Sequence, residues 1–296
     1  MANILITGAN GALAKKLIKQ FVSDNDYKIF ASTRNLNSLK TSVENVEYIS
    51  NQDLIDTEIL KDMDYILNCS FPRTQDLELL DSAKNNFHKL ICRCVQLNVK
   101  NFINISSQDI YGNYREIPSY EHEYNPQTNY AKTKLECEAI IKKVTKDYSN
   151  DMNYTNIRLA SLVGVEYPER VINKMINFAK NNKKITVQND KDVFGYMDIN
   201  DAVCGLYNFV KNSNSKEWKD VYNLGVKPDY DDNLLYIAQI IKNLFDKKGE
   251  TIELEISKKE KADKLCLINS EWFYKDSNWQ PQISLEESIK QIFLKM

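Results

Sequence analysis

Ile4-Leu5-Ile6-Thr7-Gly8-Ala9-Asn10-Gly11-Ala12-Leu13-Ala14 decides how this chain is read. The apolar run at 4–7 predicts a buried strand. Glycines follow at once, and Leu13, Leu17, Ile18 and Phe21 then recur at helical spacing. Strand, glycine turn and helix form the context that a phosphate-binding fingerprint requires. Gly8 allows the tight turn, and Gly11 lets the backbone approach a pyrophosphate at the positive helix end, beside Asn10, Ala12 and Leu13. The third small position is Ala14, not glycine. An ordinary strand–helix turn shares these features, so support must come from elsewhere in the chain.

That support is Tyr130-Ala-Lys-Thr-Lys134, with Ser106-Ser107 upstream. Residues four apart share a helix face. An ammonium beside a phenol favours the tyrosinate, whose unperturbed pKa is near 10. A nearby serine hydroxyl can hold a substrate oxygen. The set Ser107, Tyr130 and Lys134 therefore suits proton transfer at an alcohol or ketone.

Together these segments resemble the extended branch of the short-chain dehydrogenase/reductase superfamily, along nearly the whole chain. Thr7-Gly8-Ala9-Asn10-Gly11 resembles its nucleotide turn. Asn101-Phe102-Ile103-Asn104-Ile105-Ser106-Ser107-Gln108-Asp109-Ile110-Tyr111-Gly112 resembles its catalytic strand, which selects Ser107. Arg158 to Gly164, Tyr196 to Ala202, Val221 to Gly225, and Trp279-Gln280-Pro281 with Leu285-Glu286-Glu287 resemble later landmarks in order. The resemblance implies Tyr130 as general acid or base, Lys134 on the nicotinamide ribose, and Ser107 on the substrate oxygen. It further implies cofactor contacts from Asp53-Leu54, from Cys69, Ser70 and Phe71 after the fourth strand, and from Leu159 and Ser161.

The bulk properties agree with a soluble enzyme. The chain has 296 residues, 43% of them hydrophobic, and a formal net charge of −2. No basic field suggests nucleic acid. No run of 18 apolar residues suggests a membrane span, and no signal peptide is expected, so the cytoplasm is the expected compartment. The six cysteines are expected to be reduced and mostly in the core. No metal site is expected, since the two histidines and the cysteines lack ligand spacing.

Strand-like and helix-like segments alternate through the first half: strands near 4–7, 28–31, 46–49, 65–69, 102–106 and 154–159, helices near 75–97 and 129–149. Such alternation predicts an α/β fold, a doubly wound parallel Rossmann sheet. Further on, helices are expected near 171–181, 201–210 and 233–245, strands near 185–188 and 252–255, and a polar loop at 211–220. The expected division is a dinucleotide-binding domain at 1–164, with 192–212 returning to it, and a smaller C-terminal substrate lobe at 165–296.

The second strand ends in Ile29-Phe30-Ala31-Ser32-Thr33-Arg34. NAD-preferring sites place a carboxylate there to hold the ribose hydroxyls. Thr33 and Arg34 would instead welcome a 2′-phosphate, so NADP(H) is favoured, with NAD the alternative. The resemblance also exposes departures. Dehydratases of the branch carry Asp-Glu where this chain has Gln108 and Asp109. Sugar-nucleotide enzymes of the branch often have Asn where Ser161 stands and Arg where Phe194 stands, both holding a substrate diphosphate. Arg170 and Lys174 are candidate substitutes. The expected activity is reduction of a keto group, most readily on a nucleotide-activated sugar. The alternatives are an NAD-dependent 4-epimerase and a non-catalytic dinucleotide sensor. A homodimer is expected through the helices near 75–97 and 129–149, the first of which carries more apolar residues than one face needs.

Overall fold

The computed structural model describes residues 1–39, 42–113, 117–119, 122–148, 151–229, 232–258, 260 and 265–296. In the first half, β1 (Ala2–Thr7), β2 (Tyr27–Thr33), β3 (Val46–Ser50), β4 (Tyr65–Asn68), β5 (Asn101–Ser107) and β6 (Asn153–Leu159) alternate with α1 (Ala12–Val22), α2 (Asp53–Asp56), α3 (Leu77–Gln96) and α4 (Asn129–Asp147). Then come β7 (Leu162–Val163), α5 (Val171–Asn182), β8 (Lys184–Val187), β9 (Val193–Phe194), β10 (Met197–Asp198) and α6 (Ile199–Asn212). The chain ends with β11 (Val221–Leu224), α7 (Leu234–Asp246), β12 (Glu253–Ile256), β13 (Leu265–Cys266), α8 (Glu271–Ser277) and α9 (Leu285–Lys295). The predicted end of α4, Ser149, lies outside the described residues.

Seven strands pair in parallel in the order β11-β6-β5-β4-β1-β2-β3. The chain reverses its direction of winding between β1 and β4. A crevice therefore opens beyond their C-terminal ends, the place where open α/β sheets bind ligands. The fold is the predicted α/β Rossmann sheet.

Both faces of this sheet are covered, which explains the unbroken apolar runs. In β1, Ile4 and Ile6 join the core that contains Leu17 and Phe21 of α1, Leu206 and Phe209 of α6, and Phe273 of α8. Leu5 points the other way, into the core with Phe87, Leu90 and Ile91 of α3 and Ile141 and Val144 of α4. This also accounts for the apolar surplus of α3. Leu80, Phe87, Leu90, Ile91 and Val95 are buried in the chain's own core, and only Leu77 and Leu79 at the helix start are exposed. Side-chain caps set where the covering helices begin: Asp76 accepts from Leu79 N at 3.1 Å, and Thr128 from Ala131 N at 3.1 Å.

Buried asparagines run across the middle of the sheet. Thr7 Oγ1 donates to Asn68 Oδ1 (2.7 Å), Asn68 Nδ2 to Asn104 Oδ1 (3.1 Å), and Asn104 Nδ2 to Asn156 Oδ1 (2.8 Å). Asn156 Nδ2 closes the row on the Asp220 carbonyl at 3.1 Å. Each side chain bonds to its direct strand partner in β1, β4, β5 and β6. A one-residue slip would move every member to the opposite face. Leaving one such amide without a partner costs about 1–3 kcal/mol, so the row fixes register.

A third core, with Ile172 and Ile176 of α5, Ile185 of β8, Ile237 and Ile241 of α7 and Ile289 and Ile292 of α9, belongs to the C-terminal part. Here β8 pairs with β12, β7 with β10 and β9 with β13, all in parallel. Between these pairs the chain revisits the central sheet. Helix α6 packs on α1, and β11 adds the edge strand beside β6. The polar loop expected at 211–220 contains a short turn at Ser215–Glu217, and Trp218 just after it stacks on Phe209 at 5.3 Å.

Candidate active site

The turn after β1 has the form that the sequence predicts. Gly8 has φ +76, and a Cβ there would lie 3.0 Å from Ser70 Cα. Glycine is thus required twice, for the left-handed backbone and for the close approach of the segment after β4. Gly11 is the N-cap of α1 and offers no side-chain acceptor to the first helical turn. A Cβ on Gly11 would meet the Gly8 carbonyl at 3.2 Å. Ala12 and Leu13 open the helix. Backbone N–H groups left without a side-chain cap at a helix start suit the oxygens of a pyrophosphate. On this observation the residues fit a dinucleotide, held by the 8–13 turn.

Beyond this turn, Asn10 Nδ2 donates to Thr33 Oγ1 at 3.1 Å, and Thr33 is buried. Of the pair read as a 2′-phosphate grip, Arg34 alone is exposed. Asp53 accepts from Ser50 Oγ at 2.7 Å at the start of α2. Leu54 turns its side chain into the core beneath α3. Ser70 N donates to Thr7 Oγ1 at 3.2 Å, which ties the Cys69–Phe71 segment to the end of β1.

Ser107, Tyr130 and Lys134 come together where β5 ends and α4 begins. Ser107 is buried and accepts from Asp109 N at 3.2 Å, so it caps the short turn at Gln108–Ile110. Its hydroxyl also acts on the Tyr130 phenol and lowers its pKa. Tyr130 and Lys134 share the face of α4 that meets Phe71. The Tyr130 ring lies 6.1 Å from the Phe71 ring, edge to face, and Lys134 Nζ sits 4.4 Å above that same ring.

Lys134 Nζ donates to the Ile105 carbonyl at 2.6 Å. Burial holds this ammonium below its ordinary pKa. Burial pushes the Tyr130 phenol up to about 12, with Arg73, Arg170 and the Ser107 hydroxyl pulling it back and Asp109 opposing them. The cations that lower the phenol are Arg73 and, less strongly, Arg170. The sequence reading assigned that influence to Lys134, which is instead tied to the backbone of β5.

Behind the site stands a buried ion pair. Arg158 Nη2 contacts Glu138 Oε2 at 2.6 Å and Arg158 Nε donates to Oε1 at 3.1 Å, a two-pronged contact. Ser106 Oγ also donates to Oε1, at 2.6 Å. The guanidinium lies against two neighbouring rings, Tyr111 and Tyr124, 4.8 and 4.5 Å from their centres. Tyr111 in turn donates to Asn223 Oδ1 of β11 at 2.8 Å.

Two of the departures noted in the sequence touch one another. Gln108 Nε2 donates to Ser161 Oγ at 3.2 Å, and Gln108 is 5% exposed. Its Oε1 has no partner among the described residues. Phe194 stacks on Tyr196 at 5.4 Å. Lys174 pairs with Glu169 at 3.2 Å and lines an outer groove of about 620 Å³ between α5 and β8. Leu159 lies in the core under the sheet. Arg73 and Tyr167 were missed by the sequence reading. Among the described residues no three His, Cys, Asp or Glu side chains gather to hold a metal, and no helix is long and apolar enough to cross a membrane. All six cysteines are free thiols.

Similarity to known proteins supports the enzyme reading. Bovine dTDP-D-glucose 4,6-dehydratase is 23% identical over 97% of this chain and 86% of its own length. The solved UDP-glucuronic acid 4-epimerase of Bacillus cereus, in complex with a substrate analogue and NAD, superposes with a TM-score of 0.82 at 17% identity, covering 98% of both chains. UDP-N-acetylglucosamine 4-epimerase of the same organism superposes at 0.77 with 19% identity, over 100% of this chain and 96% of that one. Residues 4–225 match the family described as NAD dependent epimerase/dehydratase. The chain is an enzyme of the NAD-dependent epimerase/dehydratase family, within the extended short-chain dehydrogenases/reductases.

Proposed function

We propose that the enzyme oxidises and re-reduces one carbinol carbon of a nucleotide-activated sugar, as a 4-epimerase does. The observation that carries this is the convergence of Ser107, Tyr130 and Lys134 at the end of β5, beside Phe71 and the Gly8 turn. Ser107 would hydrogen-bond the sugar oxygen, and Tyr130 would take its proton and later return it. Lys134 would hold the nicotinamide ribose from the face of α4. The dinucleotide, when bound, supplies hydride exchange with the same carbon. Asn10, Gly11, Ala12 and Leu13 would hold the pyrophosphate, Asp53 and Leu54 the adenine end, and Cys69, Ser70 and Phe71 the nicotinamide side, with Leu159 and Ser161 closing the crevice. The lobe from about residue 165 would bind the sugar nucleotide.

Water elimination fits less well. Gln108 is an amide bonded to Ser161, not a carboxylic acid able to protonate a leaving hydroxyl.

The second reading is reduction of a keto sugar by NADPH. It is favoured by the lack of a carboxylate at the end of β2 and by the exposed Arg34. A retaining epimerase keeps its NAD, while a reductase must exchange its cofactor. Nucleotide released by denaturing freshly purified protein separates the two: stoichiometric NAD supports the epimerase, and its absence with tight NADPH binding replaces it with the reductase.

We also propose a homodimer through the outer faces of α3 and α4, where Leu77 and Leu79 are 59% and 52% exposed. Sedimentation of one species at monomer mass, at micromolar concentration, would remove it.

A further inference from the structure

Tyr130, Lys134 and Glu138 follow one another at four-residue spacing along one face of α4. Opposite charges four apart on a helix attract, and more strongly where water is excluded. Lys134 and Glu138 are both buried, so an ion pair between them is the expected outcome. The structure has another arrangement. Lys134 Nζ donates to the Ile105 carbonyl at 2.6 Å, above the Phe71 ring at 4.4 Å, and among the described residues it pairs with no carboxylate.

The reason lies at Glu138, whose two oxygens are already taken. Arg158 Nη2 holds Oε2 at 2.6 Å, and Arg158 Nε reaches Oε1 at 3.1 Å. The shorter bond to Oε1 comes from the buried Ser106 hydroxyl, at 2.6 Å. Ser106 directly follows Ile105. Two consecutive residues of β5 therefore keep the two charges of α4 apart: a carbonyl holds the ammonium, and a hydroxyl holds the carboxylate. Each carboxylate oxygen has about two acceptor sites. Without the Ser106 hydroxyl, Oε1 would keep one longer bond and one open site. The Lys134 ammonium stands one turn away on a flexible four-carbon stem, able to swing to it. Of the pair Ser106-Ser107, the chemistry above uses Ser107 alone.

We propose that Ser106 is a positioning residue. By occupying Glu138 Oε1 it keeps Lys134 on the β5 carbonyl and available to the nicotinamide ribose. This rests on the role of Lys134 proposed above. Ser106 acts through Glu138 and Lys134, with no contact of its own to dinucleotide or sugar.

The test measures affinity for NADH, NADPH and ADP in the parent, in Ser106→Ala, in Lys134→Met and in the double variant. ADP has no nicotinamide riboside, so it reports the adenine and pyrophosphate side and the integrity of the fold. Lys134→Met should weaken the better-bound dinucleotide about tenfold to a hundredfold, the scale of one charge-assisted hydrogen bond. Ser106→Ala should weaken it about threefold to tenfold, part of that same loss, and leave ADP almost unchanged. The double variant should bind as Lys134→Met does, because residues that act through one another are not additive. Unchanged dinucleotide affinity in Ser106→Ala, with Lys134→Met weakened, overturns the inference and leaves the role of Lys134 standing. An equal loss for ADP, or losses that add in the double variant, makes Ser106 merely structural and overturns it as well. Unchanged affinity in Lys134→Met, or no dinucleotide binding to the parent, overturns both. Ser106→Ala leaves both Arg158 contacts on Glu138, so the buried charge stays paired. If that variant does not fold, Ser106→Cys, whose thiol is a weak donor, carries the same comparisons.

Discussion

The two sides of the cleft are built differently. The side proposed for the nucleotide is made of backbone and strand ends: the Gly8 turn, the bare start of α1, and Ser107 capping the turn after β5. The side proposed for the substrate carries long side chains on irregular segments: Arg73 after β4, Tyr167 and Arg170 before α5. Chemistry shared across many substrates can be fixed in regular elements, whose positions the sheet determines. Recognition of one substrate falls to loops, which can change without disturbing the sheet. In this chain the first set conforms to the family pattern and the second does not.

The largest effect should come from the support beneath both sides. Glu138→Gln leaves the Arg158 guanidinium, 0% exposed, without its counter-charge and puts an amide donor against it. Removing one partner of a buried pair costs about 3–5 kcal/mol. Urea denaturation should show the midpoint fall with little change in slope. A loss under about 1 kcal/mol would mean that the two adjacent tyrosines carry Arg158 without Glu138, and that the site does not depend on this base.

That pair also shows what sequence could and could not reveal. Strands β1 to β6, β8 and β12 and helices α1 and α3 to α7 follow from apolar period and caps, and each lies within a few residues of its predicted place, whereas β7, β9, β10, β11 and β13 were not placed as strands. Helix α9 was seen only as the landmark Leu285-Glu286-Glu287, and α8 was not seen. Helix α8 has seven residues, too short for a periodic signal, and its Phe273 declares itself only by stacking on Phe209 at 5.1 Å. Tyr130 and Lys134 were legible because helical spacing alone brings them to one face. Arg158 and Glu138 were not, because strand and helix must first be packed together. The asparagine row is invisible for the same reason, since its members are neighbours only across strands. Arg73 lies two residues past the end of the family-like loop, where no pattern constrains the chain.

Next in size is Tyr130→Phe, which tests the nucleotide side alone. Loss of the proton carrier should lower turnover by at least ~100-fold, with dinucleotide binding almost unchanged. Turnover within a few-fold of the parent would remove Tyr130 as the proton carrier. A matching loss of dinucleotide affinity would instead mean that the phenol shapes the nucleotide side, through its contact with Phe71.

The last expectation is a slope, and it joins the two sides. Burial pushes the free-enzyme phenol up to about 12, and the Arg73 and Arg170 charges pull against that. Oxidation of a carbinol needs the phenolate, whose fraction below the pKa rises tenfold per pH unit. Reduction needs the protonated phenol, which stays nearly complete across neutral pH. The pH dependence of kcat/KM reports the free enzyme. In the oxidative direction log kcat/KM should therefore rise with a slope near one from about pH 6 to about pH 9, without a plateau, while the reductive direction stays flat. Arg170→Gln removes one of the cations that lower the phenol, so it should depress the oxidative rate at every pH in that range and leave the slope intact. A plateau below about pH 8 in the parent would show that the phenol ionises far more easily than its burial allows. The substrate-side arginines would then not be what governs its proton.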